Sequence, residues 1–152
     1  MGAAWHLNKA KFAKYGVIVR SSNYTLYGDL SGRVMTVLRT FTPDLEVYSI
    51  DEAFLIVAGF DDRLESRCHE LRNTVLQWTG IPVSVGIAPT KTLAKAANRV
   101  AKKSGSGVWS VMTEREQTDV LAKLALTDLL GYRSADVYQT RKARHRYASQ
   151  VA

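Results

Sequence analysis

The sequence of 152 residues has one cysteine, three prolines and no long apolar run, and each scarcity excludes a class of protein. Cys68 cannot form a disulfide within the chain, which argues against a small secreted scaffold held together by disulfides. No apolar run approaches the roughly 20 residues that a membrane-spanning helix needs. The first residues also lack the basic and apolar stretches of a secretory signal. We therefore expect a cytoplasmic protein with no membrane partner.

What is present is the composition of an ordinary globular domain with an excess of positive charge. Hydrophobic residues make up 46% and charged residues 23% of the chain, and its length suits one domain with a core. The formal net charge is +7. Excess Lys and Arg favour polyanionic partners such as nucleic acid, although a solvated basic surface accounts for the charge equally well. Much of the excess lies in residues 131–152, which hold five basic side chains and one aspartate.

The pattern of apolar and polar positions predicts an α+β fold. Runs rich in β-branched residues predict strands, and apolar residues at helical spacing predict helices: strands at 16–20, 45–49, 53–57, 82–87 and 107–112, helices at 24–41, 64–78 and 90–103. Thr113 and Glu116 have the spacing of a capping box, which begins a further helix. We expect a mixed or antiparallel sheet with helices on one face, and a hairpin with acidic residues at its tip.

The first segment that carries chemistry contains Asp51 and Glu52, within the string from Tyr48 to Leu55. Neighbouring carboxylates repel each other unless a cation neutralises them. A strand would point the two side chains to opposite faces, whereas a hairpin tip can turn both towards one metal ion. Carboxylate oxygens suit Mg²⁺, which also binds substrate phosphates. An isolated Asp–Glu pair is more often an exposed acidic turn, so the pair alone leaves both interpretations open.

The second segment is the helix that begins near Thr90. Lys91 and Lys95 lie four residues apart and share a helical face, which Lys102 roughly continues. Lysines in the first turns of a helix gain nothing from its dipole, so they favour an anionic partner such as a triphosphate or a DNA backbone. A solvated basic helix face accounts for the same spacing.

Together the two segments resemble the palm of Y-family translesion DNA polymerases, the UmuC/DinB/ImpB family, and its polymerase V branch in particular. The string Tyr-Ser-Ile-Asp-Glu-Ala-Phe is followed about thirty residues later by Val-Gly-Ile-Ala-Pro-Thr-Lys-Thr-Leu-Ala-Lys-Ala-Ala-Asn. Ser-Asn-Tyr-Thr-Leu-Tyr at 22–27 and Ser-Gly-Arg-Val-Met at 31–35 add to the resemblance. It covers roughly residues 1–128.

The resemblance implies two-metal, DNA-templated nucleotidyl transfer in DNA repair and the SOS response to DNA damage, on a partial ferredoxin-like palm. Asp51 and Glu52 match the family's second pair of carboxylates, which are catalytic and bind Mg²⁺. Lys95 matches the lysine that reaches the incoming deoxynucleoside triphosphate, and Lys91 is a weaker phosphate or backbone contact. The complete enzymes have a DNA primer-template, an accessory subunit and a sliding clamp as partners.

The chain departs from the family pattern at both ends. The family's first metal-binding aspartate, on the first palm strand, and its fingers segment lie upstream of anything in this sequence. We therefore expect the chain alone to be catalytically incomplete, with a sheet that lacks a central strand. We assign residues 1–128 to the palm and residues 129–152 to a basic tail that replaces the family's thumb, little finger and clamp-binding tail. A shift of reading frame near Leu129 is one origin that accounts for this tail.

Two alternative functions stay open at this point. One is a non-catalytic DNA-binding or subunit-binding remnant, which would keep the basic face from Lys91 to Lys102 without using Asp51 and Glu52. The other is a different palm-type enzyme, such as a nucleotide cyclase, which also uses two metal ions on a similar sheet. A cyclase should carry a metal-binding aspartate on a preceding strand together with purine-selecting residues, and the sequence shows neither.

Overall fold

A computed structural model describes residues 4–57, 61–123 and 148–151, and it has the α+β class that the sequence predicts. The helices are α1 (Trp5–Lys14), α2 (Tyr24–Arg39), α3 (Leu64–Thr79), α4 (Lys91–Ser104) and α5 (Glu114–Lys123), and a short 3-10 turn precedes α3 at Asp61–Arg63. The strands are β1 (Leu45–Val47), β2 (Ala53–Ile56), β3 (Val85–Ala88), β4 (Val108–Ser110) and β5 (Ala148–Val151). Within the described ranges, no helix has the length and apolar character needed to cross a membrane.

The strands form one mixed sheet in the order β1-β2-β5-β3-β4. β1 and β2 make an antiparallel hairpin, in which Val47 pairs with Ala53. This hairpin lies at one edge of the sheet, as predicted for the segment that carries Asp51 and Glu52. β3 and β4 run parallel to each other at the opposite edge.

The centre of the sheet is occupied by β5, for which the sequence pattern gave no signal. β5 pairs antiparallel with β2 on one side and with β3 on the other, so that Val151 is opposite both Ala53 and Val85. It belongs to the segment 129–152, in which no structure was expected. The expectation of a missing central strand is therefore wrong for this structure, because the tail supplies backbone partners to both neighbouring strands.

One face of the sheet packs against α2 and α3. Side chains alternate between the two faces along a strand, and the residues of β2 and β3 that enter the main core are Ala53, Leu55, Val85 and Ile87. The two helices cover them with a stripe of buried residues at helical spacing: Val34, Met35, Val37, Leu38, Leu64, Cys68, Leu71 and Val75. The prediction that these two helices share a face is confirmed.

α4 packs on the opposite face, which corrects the expectation that all helices lie on one side. The approach is closest at Gly86, where an added Cβ atom would lie 2.2 Å from both the Ala94 carbonyl oxygen and the Asn98 backbone nitrogen. Only a residue without a side chain permits this contact between strand and helix. The alanine-rich face of α4 is buried here, so both faces of β3 are covered. Helical spacing reveals that α4 has an apolar face but does not reveal which side of the sheet it meets.

The helix boundaries follow from local signals. The Asn23 side chain accepts a hydrogen bond from the Leu26 amide at 3.1 Å and so caps α2. α3 ends at Gly80, which has a φ of 73°. The predicted capping box of α5 is confirmed: the Glu116 amide donates to the Thr113 hydroxyl at 3.3 Å, and the Thr113 amide donates to the Glu116 carboxylate at 2.8 Å.

The segment before α2 departs most from the prediction. α1 was not predicted, and it contributes no buried residue. Residues 17–20 form no strand, and the side chains of Val17, Ile18 and Val19 are exposed. The strand predicted at 16–20 is therefore wrong. A run of β-branched residues forms a strand only where another backbone pairs with it, and the sheet offers none here.

Candidate active site

The candidate site lies where the turn between β1 and β2 meets α4. Backbone hydrogen bonds fix the turn, because the amides of Tyr48 and Ser49 both donate to the Glu52 carbonyl oxygen at 3.0 Å. The Ser49 hydroxyl donates to the Asp51 carboxylate at 2.7 Å. The two predicted carboxylates are therefore held on a turn whose backbone is well defined.

Lys95 reaches this turn from α4. Its Nζ donates to Glu52 Oε2 at 3.0 Å, and the two side chains keep only 28% and 25% of their surface exposed. The same Nζ lies 4.7 Å from the centre of the Tyr48 ring. The ring quadrupole attracts a cation placed over its face. Glu52 and Tyr48 thus hold the ammonium group at the acidic turn.

Lys91 lies on the same face of α4 but contacts a different carboxylate. Its Nζ donates to the Glu46 carboxylate on β1 and lies 5.3 Å from the centre of the Phe54 ring. The Lys91 and Glu46 side chains are 47% and 56% exposed, and a pair this exposed contributes at most about 1 kcal/mol. The structure therefore places Lys91 beside the acidic turn and not in contact with its two predicted carboxylates.

Three residues of the site were not predicted individually: Glu46, Tyr48 and Phe54. The Tyr48 and Phe54 rings meet edge to face with their centres 5.6 Å apart, and each ring supports one of the two lysines. Strand pairing is the feature that could have identified them, because Glu46 is opposite Phe54 in the hairpin. That register depends on the geometry of the turn, which the order of apolar residues does not specify.

Asp51 has different surroundings from Glu52. Its exposed carboxylate accepts the Ser49 hydroxyl, and the residue lies on the wall of a largely apolar cavity of about 460 Å³ between α2 and residues 81–83. Glu52 instead contacts Lys95 on the side of α4. Asp51 and Glu52 are thus neighbours in the sequence, but Asp51 contacts Ser49 and Glu52 contacts Lys95.

The chemistry of the donor set fits a hard divalent cation. Asp51 and Glu52 are adjacent in the sequence and both offer carboxylate oxygens, the ligand type that Mg²⁺ prefers. No cluster of three or more His, Cys, Asp or Glu side chains occurs in the part of the chain that the structure describes. The pair can therefore fill only part of an octahedral shell. Mg²⁺ commonly binds in this way, with water and phosphate oxygens at its remaining positions.

A mixed sheet with paired carboxylates on an edge hairpin, faced by a basic helix, defines a palm-type α+β domain. The sequence profile of the impB/mucB/samB family matches residues 1–99, which is well over half of the chain. The chain belongs to this family. Membership confirms the Y-family resemblance that the two sequence segments indicated.

Individual relatives agree with the family assignment. Protein UmuC of Salmonella typhimurium strain LT2 is 43% identical over 135 residues, which cover 86% of this chain and 32% of that protein. Protein ImpB of Salmonella typhimurium is 42% identical over 118 residues, covering 75% of this chain and 28% of that protein. DNA polymerase IV of Treponema denticola is 30% identical over 128 residues, covering 82% and 31%. The chain spans about a third of the length of these relatives.

Proposed function

We propose that the chain is a palm portion of an error-prone translesion DNA polymerase that carries out DNA-templated nucleotidyl transfer. In this proposal Asp51 and Glu52 hold Mg²⁺, and Lys95 neutralises the incoming deoxynucleoside triphosphate. The contact between Glu52 and Lys95 at 3.0 Å carries the proposal, because it joins the two sequence segments in one place. The proposal implies a cytoplasmic protein that acts on a primer-template with an accessory subunit and a sliding clamp.

The residues of this chain contribute position and charge. The hydrogen-bonded turn orients Asp51 and Glu52, and packing at Gly86 holds α4 against the sheet so that Lys95 reaches them. Lys91 adds a second positive charge on the same helical face, where a phosphate or the DNA backbone can meet it. Bound Mg²⁺ would supply stabilisation of the charge on the transferred phosphoryl group.

The same contact favours this proposal over the alternatives. A remnant that only binds DNA would present its basic face to the surroundings and would not need a lysine directed at an acidic turn. The side chains of Lys95 and Glu52 are instead mostly covered and directed at each other. A nucleotide cyclase receives no support from the family match, whose relatives include proteins named DNA polymerase IV.

The proposal is tested by binding of a fluorescent deoxynucleoside triphosphate to the full chain, with and without Mg²⁺. Asp51→Ala should abolish the part of the affinity that depends on Mg²⁺. Lys95→Ala should weaken binding about tenfold whichever base is present, because a charge-assisted phosphate contact is lost. Asp119→Asn removes an exposed negative charge on α5 and serves as the control. If all four proteins bind equally, with no effect of Mg²⁺, the proposed function is wrong.

A further inference from the structure

Glu52 already has a cation from its own chain. Lys95 Nζ donates to Glu52 Oε2 at 3.0 Å, and about three quarters of each side chain is covered. The other proposed metal ligand differs, because the Asp51 carboxylate is exposed and accepts only the hydroxyl of Ser49 among the hydrogen bonds of the described residues. The two carboxylates of the turn are therefore unequally available to an incoming cation.

We infer that Lys95 masks Glu52, and that a divalent cation must displace the lysine before the carboxylate pair is complete. This inference rests on the proposed function and adds an order of events to it. In the resting chain the lysine neutralises Glu52. Once a divalent cation binds the Glu52 carboxylate, the Lys95 ammonium group is released and its charge becomes available to a phosphate. Metal binding thus exposes the group that recognises the triphosphate.

Electrostatics supports the exchange. A divalent and a monovalent cation at Glu52 repel each other, and at equal distance the divalent cation is attracted to the carboxylate twice as strongly. The exchange leaves no charge isolated, since the metal ion replaces the lysine at Glu52 and a phosphate replaces Glu52 at the lysine. Both side chains keep about a quarter of their surface exposed, so water reaches the pair and the exchange needs no unfolding.

Tyr48 keeps the released lysine near the turn. The Lys95 ammonium group lies 4.7 Å from the ring centre, and the ring in turn packs edge to face on the buried Phe54. This second contact does not depend on Glu52, so it persists when a metal ion takes the carboxylate. Tyr48 is therefore a positioning residue for Lys95. Its contribution should be lost in Tyr48→Ala and retained in Tyr48→Phe, which keeps the ring.

Replacing Lys95 should have opposite effects on the two ligands. Lys95→Met should bind a triphosphate more weakly but the metal ion alone more tightly. Free Mn²⁺ measured by electron paramagnetic resonance should show about tenfold tighter binding to Lys95→Met than to the wild type, because the competing charge is gone. Lys95→Arg retains the charge and should bind no more tightly than the wild type. Lys102→Met removes a positive charge from the exposed part of the same helix and should change the affinity little.

A second measurement follows Lys95 itself. Reaction of lysine side chains with an amine-specific reagent, read at Lys95 by mass spectrometry, should become faster in wild-type chain when Mg²⁺ is added. The acceleration should be absent in Asp51→Asn, in which the carboxylate pair is broken. Lys91 serves as the internal control, because its partner Glu46 lies outside the proposed metal site.

The results separate this inference from the proposed function. If the wild type binds Mn²⁺ through Asp51 but Lys95→Met binds it no more tightly, masking is refuted and the proposed function stands. If Asp51→Asn binds Mn²⁺ as tightly as the wild type does, the proposed function fails and masking fails with it. Tighter binding by Lys95→Met together with loss of binding in Asp51→Asn supports both.

Discussion

Gly86 determines how closely α4 approaches the sheet, and replacing it by alanine should disturb both stability and the candidate site. The added Cβ would lie 2.2 Å from the Ala94 carbonyl oxygen and 2.8 Å from the Asn98 Cα. Both obstacles are backbone atoms of α4, which no side-chain rotation can remove. Since ordinary contacts of a Cβ begin at 3.4 Å, α4 must move away from β3 by about 1 Å.

A shift of this size in a packed core costs about 3 kcal/mol, at the upper end of the range for overpacking substitutions. Urea denaturation followed by circular dichroism measures the loss for Gly86→Ala. Gly32→Ala is the matched control, because Gly32 is exposed in α2 and an added Cβ there has no neighbour within 4 Å. Alanine is favoured over glycine inside a helix, so the control should be neutral or stabilised by up to about 1 kcal/mol.

The same displacement should reach the site, because Lys95 directly follows Ala94 in α4. Moving the helix by about 1 Å lengthens the contact between Lys95 and Glu52, which is 3.0 Å in the wild type. Binding of a triphosphate under conditions where Gly86→Ala is still folded should therefore weaken. If Gly86→Ala is as stable as Gly32→Ala, the direct contact between β3 and α4 does not hold the helix as described.

Three further predictions concern single groups. Burial, with a smaller effect from Glu65, raises the pKa of Cys68 to about 12 from 9.0, so the folded chain should resist thiol reagents at pH 8. The neutral thiol contributes stability below about pH 9 that is lost as the pH rises towards 12, which denaturation at increasing pH can check. Asn98→Ala should lower the free energy of unfolding by about 2 kcal/mol in urea denaturation, because the Ser84 carbonyl oxygen loses its donor at 2.6 Å. Hydrogen bonds from the amide and then the hydroxyl of Thr113 lower the pKa of Glu116. The capping box should therefore stabilise α5 above pH 4.5 and lose this effect as the pH falls through the lowered pKa. Circular dichroism should show this pH dependence in the wild type and not in Glu116→Gln.

The residues of the candidate site could be named from the sequence because each lies in a segment with a local signal. Asp51 and Glu52 share a turn, and Lys95 lies on a helix whose cap at Thr90 is visible in the sequence. The partner of Lys91 was not predictable, since Glu46 meets it only through the register of the hairpin. Local patterns specify which face of an element is apolar, but contacts between distant segments depend on tertiary packing.

The fold shows the same division between local and distant contacts. The helix at 64–78 was predicted within a residue of its bounds because its apolar positions and the following Gly80 are local signals. β5 was not predicted because Ala148–Val151 contains a single β-branched residue and no alternation of apolar and polar positions. Its place in the sheet depends on backbone pairing with β2 and β3, which side-chain patterns do not encode.

The central place of β5 has a consequence for the order in which the molecule folds. The β1–β2 hairpin and the β3–α4–β4 unit can each form from contacts close in sequence, yet among the strands that the structure describes they are joined only through β5. Pairing Ala53 with Val151 closes a loop of about a hundred residues, and such distant pairings slow folding because chain entropy is lost before contacts are gained. Glu52 belongs to the first unit and Lys95 to the second. The contact between Glu52 and Lys95 should therefore appear only in the last and slowest phase of folding, after most of the helical structure has formed.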